Sequence, residues 1–170
     1  MLFRSGVLPR ETAALIDHAR KLELPLRCGV TVIAAHCATK GALFDGQWFP
    51  AFVAMAREFP NLYGDNSAFC VPNHRIRGRV VPDCLAEPLA SRIVHGSDWP
   101  VPVSGFWPWA KALITAAQWR AARRETNALE RDAMLKRAMG FAPETFTRVW
   151  GLIPPAVREA KLRALAAKPR

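Results

Sequence analysis

His36 and Asp98 are the residues whose type and setting could do chemistry. His36 follows the apolar run that ends Ile33-Ala34-Ala35 and precedes Cys37-Ala38-Thr39. A neutral imidazole there can bind a metal or take a proton. A single histidine after a strand is otherwise a hydrogen-bonded structural residue. Asp98 lies in His95-Gly96-Ser97-Asp98-Trp99-Pro100. Gly96 permits a sharp turn, and Pro100 and Pro102 stiffen the chain beyond Asp98. An aspartate held there can ligate a metal or act as a general base toward a metal-bound water. Alone, it is more often an Asx turn or a helix cap. Cys37 has no basic neighbour in sequence, which favours a packed thiol over a ligand or nucleophile. His18 and His74 read as surface or packing residues.

The elements that must position these groups can be read from the apolar pattern. Gly29–His36 is a short β-branched run of the kind buried in a parallel sheet. Leu62–Asp65 and Arg92–Gly96 are a second and a third strand. A helix over about 49–58, closed by Pro60, and one near Val80–Leu89 lie between them, after an amphipathic stretch that opens at Leu8-Pro9-Arg10. His36, Asp65 and Asp98 follow their strands at separations of 29 and 33 residues, close to one βα unit. Alternation of this kind implies parallel strands with right-handed crossovers and ligands at their carboxyl ends. Beyond Asp98 the chain reads as helical. One long helix is expected over Trp107–Arg124 and another over Asn127–Met139, with Gly140 as a left-handed cap. Pro143-Glu144 opens the next, whose apolar face is Phe146, Val149 and Trp150 and which Gly151 closes, and a weakly amphipathic helix over about 155–167 ends the chain.

Together the three strand ends resemble the late strands of the amidohydrolase superfamily. They are closest to its amidohydrolase-related branch of metal-dependent hydrolases. Gly96-Ser97-Asp98-Trp99-Pro100 with the upstream Ala34-Ala35-His36-Cys37 is the more specific pair, and the similarity runs from about Leu22 to Trp150. The resemblance implies an α/β fold, a partial (β/α)₈ TIM barrel of about three C-terminal βα units followed by a helical tail. It implies His36 as a metal or substrate-orienting residue and Asp98 as the carboxylate that touches the metal and shuttles a proton. Ser67, Phe69 and Trp99 are the implied substrate-binding residues. The implied cofactor is a divalent metal, zinc first and manganese second, unless the shortened chain holds none. The family chemistry is attack of metal-activated hydroxide on a carbonyl-type small-molecule substrate, and some members decarboxylate instead.

The chain departs from this pattern in one respect. No His-x-His pair, which ends the family's first strand, occurs in the 170 residues. That length also falls short of the roughly 250 residues of a typical barrel. The expectation is a single domain over 1–170 that lacks the N-terminal half of the barrel, with activity impaired. Three strands cannot close a barrel, so a homo-oligomer or the missing barrel half is the expected partner. The alternative function is a non-catalytic half-barrel module for binding or assembly.

Composition narrows the remaining classes. Hydrophobic residues make up 51% and charged residues 22%, which is globular rather than disordered. No apolar run approaches the roughly 18 residues of a membrane span, and Met1–Arg10 lacks the order of a secretory signal, so a cytoplasmic protein is expected. Cys28, Cys37, Cys70 and Cys84 show no Cys-x-x-Cys pairing and read as reduced thiols. The net charge of +10 is concentrated in residues 120–170, a basic helical tail with 12 basic and 5 acidic side chains. Without a recognisable nucleic-acid-binding motif, nucleic acid is not an expected partner. Arg120, Arg123, Arg124, Arg131, Lys136 and Arg137 are expected on solvated helix faces.

Overall fold

The computed structural model describes residues 19–39, 48–72 and 80–166. The stretch opening at Leu8, His18 and His74 lie outside the described residues. Three parallel strands form one sheet in the order β1 (Val32–Ala34), β2 (Leu62–Asp65), β3 (Ile93–Val94). Val32 faces Leu62 and Ala34 faces Gly64; Gly64 in turn faces Ile93. Sequential strands therefore lie side by side with their carboxyl ends at one edge, as βα repetition requires.

Helix α1 (Glu23–Arg27) precedes β1. Helix α2 (Phe49–Glu58) joins β1 to β2 and has the expected bounds, with Pro50 in its first turn. Its Phe52, Met55 and Ala56 are buried against the sheet. Gly64 is required by this packing: a Cβ there would come within 2.6 Å of Cys37 Sγ and 2.7 Å of Phe52 Cζ. The core also takes in Val32, Leu62, Val81, Ile93 and Leu135. The expected burial of β1 on both sheet faces holds only in part, since Ile33 and its register partner Tyr63 are half-buried.

The helix expected near Val80–Leu89 is shorter, a single turn α3 (Val81–Cys84), followed by turns and a 3-10 segment, Ala90–Arg92. The single helix expected over Trp107–Arg124 is two, α4 (Phe106–Ala110) and α5 (Ala116–Arg124). Thr115 separates them by a capping box. Its hydroxyl accepts from the Gln118 backbone N–H, and Gln118 Oε1 accepts from the Thr115 N–H at 2.8 Å. Helix α6 (Ala128–Ala138) is capped by Asn127, and Gly140 follows it at φ +101° as expected. Pro143–Phe146 is a 3-10 turn.

Helix α7 (Arg148–Leu152) contains Gly151 instead of ending before it. Val149 and Trp150 are exposed and do not form the expected apolar face. Arg148 holds this short helix instead, donating to the Ala90 and Ile93 carbonyls. Helix α8 (Pro155–Ala166) buries no residue. Among the described residues no helix is long and apolar enough to cross a membrane.

Candidate functional site

The site is built where the three strands end. Directly after β1 the chain turns through a 3-10 segment (Ala35–Ala38) in which His36, Cys37 and Ala38 have φ of 53°, 52° and 54°. This left-handed backbone costs any residue with a Cβ. The turn is held by Asp65, whose Oδ1 accepts the His36 backbone N–H at 2.8 Å and the Ser67 N–H at 3.0 Å. The Ser67 hydroxyl donates to the same oxygen. The Thr39 hydroxyl donates to the His36 carbonyl at 2.6 Å. Cys37 is fully buried. Its Sγ lies 3.2 Å from the Asp65 carbonyl and 4.0 Å from Cys84 Sγ, and burial pushes the thiol well up. It is a packed thiol rather than an activated one.

After β3, Gly96 presses on the Asp65 cluster. A Cβ at Gly96 would stand 3.2 Å from both Asp65 Cγ and Ser67 Cβ. The Gly96 N–H donates to Asn66 Oδ1 at 3.2 Å. Two residues later Asp98 also sits in the left-handed region, at φ 59°. Its Oδ1 lies 3.5 Å from His36 Nε2, with the two side chains 20% and 12% exposed. The two residues expected to do chemistry are therefore brought together. They form an ion pair when the imidazole is protonated and stand at the outer edge of hydrogen-bond reach otherwise.

The other expected site residues are placed differently. Ser67 is buried and serves Asp65. Phe69 is fully buried, its ring 6.2 Å from that of Phe141. Trp99 is 64% exposed beside Asp98. Neither these three residues nor His36 and Asp98 line the cleft of about 270 Å³ between Phe106, Trp119, Arg123 and Arg131.

Behind Asp98 lies a charged cluster that helical periodicity in sequence did not single out. Lys136, expected on a solvated face, is fully buried. Its Nζ donates to Asp132 Oδ2 at 2.5 Å and to the Gly96 carbonyl at 2.5 Å. The correction has a physical cause: α6 turns Asp132, Leu135 and Lys136 inward together, and the ammonium can be buried there because the Asp132 carboxylate and the Gly96 carbonyl both accept from it. Cys70 is buried as well, and burial pushes its thiol up. Burial also raises the Asp132 carboxyl, against the opposing pull of Lys136. His95 Nε2 is 3.9 Å from Asp132 Oδ2, but burial, with Lys136 and Arg137 nearby, lowers its pKa to about 4. Near neutral pH that contact is thus not an ion pair. His95 packs on the Phe146 ring at 4.8 Å.

As a metal site the donor set of the described residues is incomplete. Among the described residues no group of three His, Cys, Asp or Glu side chains could hold a metal ion. His36 and Asp98 supply two donors, where a catalytic zinc takes three protein ligands and an open position.

Residues 9–136, more than half the chain, match the family model described as Amidohydrolase. That span starts and stops earlier than the resemblance read from the strand ends. A search of curated proteins and a search of solved structures each found no match.

Proposed function

This chain belongs to the amidohydrolase family, and from that premise we propose that it carries a hydrolase site at the carboxyl ends of β1–β3, acting on a carbonyl-type small molecule. The observation that supports this most is the approach of His36 Nε2 to Asp98 Oδ1 at 3.5 Å across β1 and β3, with both side chains partly open to solvent.

In this reading Asp98 accepts a proton from the attacking water as its oxygen bonds to the carbonyl carbon, then returns it to the leaving group. His36 orients the carboxylate or donates to the carbonyl oxygen. Asp65 and Ser67 hold the His36 turn, and the exposed Trp99 offers an apolar face to the substrate. Phe69 backs the wall from the core. A divalent metal, zinc or manganese, would polarise the carbonyl and activate the water. Among the described residues His36 and Asp98 would hold it, two donors where a catalytic zinc takes three. A partial (β/α)₈ barrel remains the architecture this reading assumes.

A second reading is a non-catalytic module that pairs with another chain or a second copy. The observation favouring it is that β1 and β3 each ladder only to β2 among the described strands, leaving both sheet edges for a partner.

The test is turnover of esters, amides and lactones by the 170-residue chain with added zinc or manganese. The hydrolase reading expects hydrolysis that Asp98→Asn removes. Turnover no greater than that of Asp98→Asn rejects it. A metal-free oligomer whose mass is indifferent to His36→Ala and Asp98→Asn supports the module.

A further inference from the structure

Asp98 follows the Gly96–Ser97 peptide directly. Gly96 is held at two atoms, its N–H by Asn66 Oδ1 at 3.2 Å and its carbonyl by Lys136 Nζ at 2.5 Å, and a Cβ on it would stand 3.2 Å from Asp65 Cγ and Ser67 Cβ. The plane of the Gly96–Ser97 peptide is therefore set, and only Ser97 stands between it and Asp98.

We propose that Lys136 and Asp132 are positioning residues for Asp98: a buried ion pair on α6 grips the Gly96 carbonyl and so aims the carboxylate at His36. The proposal rests on Asp98 being the working carboxylate of the site.

Stability alone does not account for this pair. Desolvating a lysine and an aspartate costs several kcal/mol each, and apolar replacements of a buried pair are often neutral or stabilising. What an apolar pair cannot do is hold and redirect a carbonyl. Lys136 is fully buried, so it meets neither solvent nor substrate. Its described acceptors are one carboxylate on its own helix and one carbonyl at the site. The pair thus ties α6 to the chain that follows β3. A supporting shell of this kind is what holds a reactive group within the fraction of an ångström that chemistry requires.

The test compares isotopically labelled wild-type chain with the double variant Lys136→Met/Asp132→Leu, which keeps the volume and removes both charges. In the wild type, a scalar coupling across the hydrogen bond from Lys136 Nζ to the Gly96 carbonyl carbon is expected. In a double variant with unchanged far-UV circular dichroism, the Ser97 and Asp98 amide signals are expected to shift or broaden. Any hydrolysis should lose at least tenfold in kcat with KM within twofold. Absence of the wild-type coupling overturns the proposal, as does a folded double variant whose Ser97 and Asp98 signals stay in place. Should the double variant not fold, Lys136→Arg must move the same two signals, and unmoved signals overturn it. Absence of turnover in the wild type counts against the hydrolase reading alone, since the amide signals report the turn independently.

Discussion

Asp65 Oδ1 accepts the backbone N–H of His36 at 2.8 Å, although 29 residues separate the two in sequence. One strand end thereby holds the next. The same oxygen takes the Ser67 N–H and hydroxyl, and just after the third strand Gly96 leaves the carboxyl group the space that a Cβ there would crowd at 3.2 Å. Asp65 is the pivot on which the turns that carry His36 and Asp98 both rest. A carboxylate suits this place because one oxygen can accept several donors, and charge-assisted bonds are the stronger ones.

Asp65→Ala is expected to destabilise the chain by about 2–4 kcal/mol, because it leaves the His36 N–H and both Ser67 donors without their acceptor. Urea unfolding measures the loss. A cost below about 1 kcal/mol would mean the His36 turn stands without its anchor.

His36 supplies a separate prediction from its backbone. At φ 53° it pays for a Cβ that glycine would not carry. His36→Gly should therefore be more stable than His36→Ala by about 1 kcal/mol, although both delete the imidazole. Both variants should lose any hydrolysis alike. Equal melting temperatures would show that the turn relaxes when the side chain is removed.

At Gly64 the reverse holds, since its φ is ordinary and the objection to a side chain is space. A methyl there would collide with Cys37 Sγ at 2.6 Å and Phe52 Cζ at 2.7 Å, both in the packed core. Gly64→Ala is expected to cost about 1–3 kcal/mol by overpacking. Cys37→Ala, by making room on one side, should recover part of that loss. A double variant no better than Gly64→Ala alone would place the clash on Phe52.

Signals that end an element carried through more reliably than those that decide which helix face is buried. Helix α2 has the expected bounds because Pro50 and Pro60 mark its two ends in the sequence itself. Gly140 caps α6 for the same reason. The parallel order of strands was legible from βα spacing, and so was the meeting of His36 with Asp98 at the strand ends. Lys136 was not, because an Asp–Lys pair four residues apart reads alike on an exposed or a buried face. Only the elements packed over α6 decide which it is. The buried Leu135 and Met139 beside the pair were the available hint. The break between α4 and α5 was legible too, as Thr115 three residues before Gln118, but it was outweighed by the apolar periodicity running across it.

His95 ties stability to pH. Burial, with Lys136 and Arg137, holds its pKa at about 4, against an ordinary value of 6.5. Between those two values the unfolded chain binds a proton that the folded chain refuses. Stability from this residue is therefore complete above pH 6.5 and is lost as pH falls toward 4. Asp132 acts in the opposite sense: its raised pKa means the folded chain takes up a proton first, which favours folding as acid is added. The two are separated by His95→Phe, which keeps an aromatic ring against Phe146 and cannot be protonated. Urea midpoints measured from about pH 7 to about pH 4 should fall less steeply in His95→Phe than in the wild type. Asp132→Asn should make the decline steeper, once the offset from its loss of charge is subtracted at neutral pH. Parallel curves for wild type and His95→Phe would show that His95 titrates alike in the folded and unfolded chain.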